Sequence, residues 1–310
     1  MEHQRQRPER RSVPRTITPL SVPALGGDLL RFPLKADELR QLVRMALDED
    51  QAFNDITSAA TVLSNRRARA TLVARGTGVI AGVPLALEAF RQLDPKVTMR
   101  VESEDGCQLK KGDPVIFVTG HARGLLGAER VALNFMQRLS GIATLTSRFV
   151  AAIAGTHTKI LDTRKTTPGW RVLEKYAVRC GGGVNHRMDL ADAVLIKDNH
   201  LAACDGDVAL AVKRARDIAP SGTQIEVECE HPEQVRAAVD AGAHAVLLDN
   251  MSLDDLKESV KIADGRVKTE ASGGVTLNTV RGIAETGVDW ISVGSLTHSP
   301  PALDLALDFE

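Results

Sequence analysis

The stretch LDTRKTTPGWR, residues 161–171, sets Arg164 and Lys165 side by side where an apolar run gives way to hydroxyl, proline and glycine residues. A surface turn needs only one charge to stay solvated, so two adjacent cations at the end of a strand point to an anion held there. His186 and Arg187 follow in GGGVNHRMD, and Lys197 stands directly behind the apolar AVLI. A charge where a buried strand emerges is costly unless it has a partner. Arginine suits a bidentate grip on carboxylate or phosphate and lysine a point contact, so several of them in one concave mouth require a ligand with several negative charges.

Glu228 and Asp249 stand against these cations. In a phosphate-rich mouth they would hold sugar hydroxyls or a Mg²⁺ that bridges to phosphates; the plain alternative is a neutralising ion pair with Lys197. ASGGV and SVGSL place Ser272, Gly273, Gly274 and Gly294 after strands, where glycine lets backbone N–H groups approach an anion. One such turn is ordinary loop chemistry; two in consecutive terminal units favour a phosphate. The set reads as a site for a phosphorylated sugar with more than one phosphate, together with Mg²⁺. No nucleophile elbow is present, and His200 and His298, lacking an identifiable nucleophile or acid partner, read as structural.

The elements that would carry these residues alternate regularly. TKILDT, AVLIKDN, QIEVECE, AVLLDN, VKTEASGG and WISVGS read as strands, with helical stretches such as RVLEKYAVRCG and PEQVRAAVDAG between them. Strand–helix units in series imply parallel strands. Because every unit puts its polar residues at the strand's C-terminal end, an α/β barrel is favoured over a doubly wound sheet, which would gather function at one switch point. Upstream, a helix in ADELRQLVRMALDED, strands in ARATLVAR, GVIAG, VTMRVES and PVIFVTG, and a long helical stretch from Gly127, weakened or bent at Ser140-Gly141, read as a smaller α+β domain.

Bulk properties narrow the classes. The 310 residues suffice for a barrel and an appendage, and a net charge of −1 with 3% aromatics argues against a nucleic-acid partner. Cys107, Cys180, Cys204 and Cys229 form no CxxC pair and no zinc spacing, so they read as reduced thiols in a cytoplasm. No apolar run approaches the roughly 18 residues of a membrane span. Residues 1–30, rich in Arg and Pro, read as a disordered extension.

LDTRKTTPGWRVLEKYAVRCGGGVNHR, AVLIKDNH, EVECE, LLDN, SGG and VGSLTHS together resemble, in this order, the quinolinate phosphoribosyltransferases. The resemblance spans residues 34–310. It implies a type II phosphoribosyltransferase fold with an N-terminal α/β sandwich domain, here residues 31–140, and an incomplete α/β barrel of about seven strands, residues 141–298, with 299–310 packing on the first domain. It also implies the reaction: quinolinate and phosphoribosyl pyrophosphate (PRPP) give nicotinate mononucleotide, pyrophosphate and CO₂, in NAD biosynthesis. Carried over by position, Arg130 would reach quinolinate from the neighbouring subunit of a homodimer or a multiple of dimers. Arg164, His186, Arg187 and Lys197 would surround the substrate carboxylates, with Thr163 beside them and Lys165 towards the pyrophosphate. Glu228 and Asp249 would hold ribose hydroxyls and Mg²⁺, and Ser272, Gly273, Gly274 and Gly294 the 5′-phosphate. Lys165, Lys197, Glu228 and Asp249 form the expected catalytic set.

Two features depart from the family pattern: Trp170 stands where a smaller aliphatic residue is expected, and MDLADA lacks the expected residues before a strand. A relative that uses nicotinate or another mono-carboxylate is the nearest rival, although Arg130, Arg164, His186 and Arg187 carry more charge than one carboxylate needs. A phosphosugar-binding protein without activity is a second, although it would not need an acid pair for a metal.

Overall fold

The computed structural model describes residues 30–310, so the disorder expected for residues 1–30 lies, Leu30 apart, outside the described residues. Its N-terminal part carries β1 (Arg67–Ala74), β2 (Gly78–Val79), β3 (Thr98–Val101), β4 (Gln108–Leu109) and β5 (Pro114–His121). The barrel strands are β6 (Lys159–Leu161), β7 (Val194–Ile196), β8 (Ile225–Cys229), β9 (Ala245–Asp249), β10 (Lys268–Ser272) and β11 (Trp290–Ser292), and β12 (Leu305–Phe309) ends the chain.

The first sheet is antiparallel in the order β12-β1-β5-β3, with β2 and β4 forming a separate short ribbon. Its final strand comes from the far end of the sequence: Ala70 pairs with Phe309 and Ala74 with Leu305. Helices Ala36–Glu49 and Val83–Leu93 cover this part, each burying an apolar face (Val43 and Leu47; Leu85, Ala89 and Phe90).

Helix Ala122–Ala152 runs unbroken for 31 residues between the two parts, which corrects the expectation of a bend at Ser140-Gly141. Those residues are contact points. The backbone N–H of Ala81 donates to Ser140 Oγ at 2.9 Å, and a Cβ on Gly141 would lie 2.2 Å from the Pro301 carbonyl oxygen. Small residues here let the helix touch two other segments without losing its own ladder.

The second sheet is wholly parallel, in the order β6-β11-β10-β9-β8-β7. A single bridge from Leu161 to Val184 extends it past β6. Six strands and one bridging residue thus stand where about seven strands were expected, and among the described residues nothing pairs β7 with the Val184 edge. Alternation along β8 turns Ile225, Val227 and Cys229 one way and Glu226 and Glu228 the other. Val227 and Cys229, fully buried, are on the opposite face from the cavity, which Glu228 lines.

Candidate active site

The C-terminal ends of the barrel strands open into a cavity of about 800 Å³. Thr163, Arg164, Lys165, His186, Arg187, Lys197, Glu228, Asp249, Ser272, Gly273, Gly274 and Gly294 all line it. Arg130 does not: it is exposed, on helix Ala122–Ala152. The cavity also takes in Asp162, Asn250, Glu270, Ser292 and His298, none of them among the expected site residues, and His298 had been read as structural.

A buried ion pair holds the cationic wall in place. Asp162 follows β6, is 0% exposed, and pairs with the equally buried Lys175 of helix Arg171–Cys180. It also accepts Asn185 Nδ2 at 2.5 Å and the backbone N–H of His186 at 3.0 Å, while Lys175 Nζ donates to the His186 carbonyl at 2.9 Å. The strand end, the helix and the Asn185-His186-Arg187 segment are thereby locked together. Burial raises the Asp162 pKa against the pull of Lys175, and burial lowers that of Lys175 against the pull of Asp162, so both groups bear the cost of leaving water. The neighbouring Glu174, also 0% exposed, takes Arg138 Nη2 at 2.7 Å and the Thr167 N–H at 3.0 Å, which anchors the loop carrying Arg164 and Lys165.

Within that wall the cations are short of partners. Arg164 Nε is buried with no hydrogen-bond acceptor. Arg187 donates from Nη1 to the Ala193 carbonyl at 3.1 Å, and burial, then the nearby Arg164, lower its pKa. Two guanidiniums that repel each other, one of them with a buried donor lacking an acceptor, suit an anion. Lys197, 46% exposed, is paired with Glu228. The neutralising ion pair weighed for these two residues is therefore formed in the free protein.

The opposite side is lined by glycines. Gly273 has φ +95°, and a Cβ there would sit 2.1 Å from Asn250 Oδ1; Gly274 has φ +57°. At Gly294 a Cβ would meet Lys165 Cδ at 3.2 Å and His298 Cδ2 at 3.3 Å. At Gly273 the positive φ and the close approach to Asn250 require glycine, and at Gly274 the positive φ favours it.

Below the cations lies a cluster that sequence spacing did not single out. His186 Nε2 is 3.2 Å from Glu226 Oε2 and 3.3 Å from Glu270 Oε2, and both glutamates are buried. Burial alone would lower the His186 pKa; the Glu226 and Glu270 carboxylates outweigh it and lift it to about 10. Burial, then Glu270, raise that of Glu226. Yet the backbone N–H of Arg187 donates to His186 Nδ1 at 2.8 Å, so Nδ1 keeps its lone pair and the ring carries its proton on Nε2. Geometry decides between the two: Nδ1 is taken up by the Arg187 N–H and does not hold the extra proton these carboxylates attract.

The three ligand-type atoms lie within 4.8 Å of one another, as in a metal site. A metal-bound imidazole, however, donates from its other nitrogen, and this one accepts. Glu228 and Asp249 are the better-suited metal pair. They line the open cavity with carboxylate oxygens, the hard donors that Mg²⁺ prefers.

Comparison with known proteins gives this arrangement a family. The family model "Quinolinate phosphoribosyl transferase, C-terminal domain" matches residues 142–308, and its N-terminal counterpart matches residues 55–140. A nicotinate-nucleotide pyrophosphorylase (carboxylating) of Mycobacterium leprae is 46% identical over 280 residues, 88% of this chain and 97% of the relative. A probable enzyme of the same name from Bacillus subtilis is 44% identical over 271 residues, 87% of this chain and 93% of its own. Among solved structures, the nicotinate-nucleotide pyrophosphorylase of Francisella tularensis superposes with a TM-score of 0.85 at 39% identity, covering 90% of this chain and 98% of that one. The chain, with its cation-walled and glycine-cradled barrel mouth, belongs to the quinolinate phosphoribosyltransferase family.

Proposed function

We propose that the barrel-mouth cavity is where the family's reaction takes place, and that the residues lining it divide the work as follows. The reaction is that of nicotinate-nucleotide diphosphorylase (carboxylating): PRPP and quinolinate give nicotinate mononucleotide, pyrophosphate and CO₂ in NAD biosynthesis. Arg164 and Arg187 receive the two quinolinate carboxylates, with Lys197 and Thr163 at the rim and His186, held by Glu226 and the Arg187 N–H, lining the wall beside them. Lys165 faces the pyrophosphate. Ser272, Gly273, Gly274 and Gly294 hold the 5′-phosphate through backbone N–H groups. The observation that carries this reading is the buried, unpartnered Arg164 Nε beside Arg187.

Glu228 and Asp249 would hold Mg²⁺ and the ribose hydroxyls. When bound, the ion stabilises the charge that develops on departing pyrophosphate. For Glu228 to do so it must give up Lys197, whose exposed side chain is free to turn towards a substrate carboxylate. The pyridine nitrogen is already a nucleophile, so the site orients it against the ribose carbon and needs no base to activate it.

Arg130 is exposed outside the cavity, so a role at quinolinate places it in the cavity of a second subunit and makes the working form a homodimer or a multiple of dimers. Four free cysteines support a reducing compartment such as the cytoplasm. No helix among the described residues is long and apolar enough to cross a membrane.

The direct test supplies the purified protein with Mg²⁺ and PRPP, and with quinolinate or nicotinate in parallel, and measures mononucleotide and CO₂. Product and CO₂ from quinolinate alone are expected. Turnover of nicotinate without CO₂ would overturn the dicarboxylate assignment.

A further inference from the structure

Glu270 is a cavity-lining carboxylate that none of the roles above uses. It is 1% exposed, and neither of its carboxyl oxygens has a hydrogen-bond partner. The one N–H within reach, His186 Nε2, makes its hydrogen bond to Glu226 Oε2 at 3.2 Å; its approach to Glu270 Oε2 at 3.3 Å lacks hydrogen-bond geometry. A bare carboxylate in this position would be buried without donors, beside a second glutamate, in the floor of a pocket for a dianion. Each of these conditions opposes the charge, and a carboxylic acid meets all of them.

We propose that Glu270 carries a proton in the free enzyme and delivers it to the ring carbon that loses CO₂. The proposal rests on the cavity being the quinolinate site. After ribosylation the ring nitrogen is cationic. The bond from the adjacent carbon to its carboxylate breaks heterolytically, CO₂ leaves, and the electron pair stays on that carbon. In the same step, as the C–C bond breaks, that electron pair takes the Glu270 proton: a C–H bond forms, the Glu270 O–H bond breaks, and Glu270 becomes a carboxylate. Water reprotonates it once product has left the open cavity. Net charge is conserved, because the negative charge lost from the ligand reappears on Glu270, beside His186. Glu226 is a positioning residue here. By taking the His186 N–H it fixes the ring and leaves Glu270 unengaged.

The test uses the full chain with quinolinate, PRPP and Mg²⁺ and follows pyrophosphate, CO₂ and the N-ribosylated dicarboxylate separately. The wild-type enzyme should release CO₂ and pyrophosphate in equal amounts. Glu270→Gln keeps the shape but has no acidic proton. Its ratio of CO₂ to pyrophosphate should fall by roughly a hundredfold or more, the low end of general acid catalysis, while the N-ribosylated dicarboxylate accumulates. Glu270→Asp should recover part of that ratio. A ratio that stays at one in Glu270→Gln overturns the proposal. Should Glu270→Gln fail to fold, single turnovers of wild type in D₂O decide: CO₂ formation must slow more than pyrophosphate formation, and equal slowing overturns the assignment. Arg164→Ala separates the parent reading. An unchanged KM for quinolinate in that variant shows that the cavity is not the quinolinate site, whereas a raised KM with an unaltered Glu270→Gln ratio overturns the Glu270 role alone.

Discussion

Lys175→Met tests how the cationic wall is held. The substitution keeps most of the stem and deletes the ammonium, in a place where both Lys175 and Asp162 are 0% exposed. Asp162 would retain Asn185 and the His186 N–H as donors but lose its counter-charge, and the His186 carbonyl would lose its 2.9 Å donor. Removing one member of a buried pair costs about 3–5 kcal/mol. The orphaned carbonyl argues for the upper part of that range, so about 4 kcal/mol is expected, a Tm loss of roughly 10 °C for a unit of this size. Unfolding in denaturant can be followed through Trp170 and Trp290, both in the barrel part of the chain. Adding Asp162→Asn removes the uncompensated charge, so the double variant should be more stable than Lys175→Met alone. The sign with pH is fixed as well. Burial raises the Asp162 pKa in the folded state and Lys175 opposes that rise, so without Lys175 it climbs further. A carboxyl with a raised folded-state pKa is bound to its proton more tightly in the native form, so stability is lost as pH rises through that value and regained as pH falls. The penalty of Lys175→Met should therefore shrink on acidification from neutral pH. A loss under about 1 kcal/mol at neutral pH, within the usual range of surface changes, would refute the argument.

Other consequences are open to kinetics. Arg164→Ala should lower kcat/KM for quinolinate by roughly 10–150-fold, the equivalent of one charge-assisted contact of about 1.5–3 kcal/mol, and Arg164→Lys should recover little because the fork is lost; full activity of the lysine variant would contradict a bidentate role. Gly273→Ala, with φ +95° and its Cβ 2.1 Å from Asn250 Oδ1, should raise the KM for PRPP far more than that for quinolinate, and equal effects on both would count against the phosphate cradle. Glu228→Gln should raise the Mg²⁺ concentration needed for half-maximal rate, and an unshifted Mg²⁺ titration would remove Glu228 from the metal site. Mixing Arg130→Ala subunits with Lys197→Ala subunits should restore activity above either variant alone, since some mixed dimers hold one intact cavity; no recovery despite subunit exchange would exclude shared sites.

What could be read from the sequence was set by which residues were out of place in their surroundings. Lys197 behind AVLI and Arg164-Lys165 after an apolar run are anomalies in a buried strand, and the structure brings both into the cavity. The parallel strands of the barrel were legible for the same reason, as short apolar runs between turns. Lys175 gave no such signal. In RVLEKYAVRC a lysine reads as solvent-facing, and only the docking of that helix on Asp162 shows otherwise. Glu226 and Glu270 were hidden because QIEVECE and VKTEASGG alternate as any half-polar strand would. Their meaning comes from barrel curvature, which brings β8, β10 and the segment after Val184 to one point. The helix Val83–Leu93, not singled out in the sequence, is apolar enough to pass as more strand until its packing is seen.

Strand order explains why Arg164 and Arg187 share a cavity with acids without being neutralised, although Lys197 pairs with Glu228. Arg164 and Lys165 follow β6 at one end of the sheet, His186 and Arg187 follow the Val184 bridge beyond it, and Lys197 follows β7 at the other end. Every one of them stands beside the seam where the barrel fails to close. The acids come from interior strands: Glu226 and Glu228 on β8, Asp249 on β9, Glu270 on β10. The glycine cradle then occupies the ends of β10 and β11. A closed barrel would pair β7 with the Val184 edge and press those guanidinium and ammonium groups together with no anion between them. Left open, the seam gives their repulsion an outlet that a dicarboxylate could fill, and under the proposed roles the sugar and its phosphates would extend from there across the middle strands. Incomplete closure is in this view part of the proposed binding chemistry, since it keeps Arg164 and Arg187 unpaired until substrate arrives.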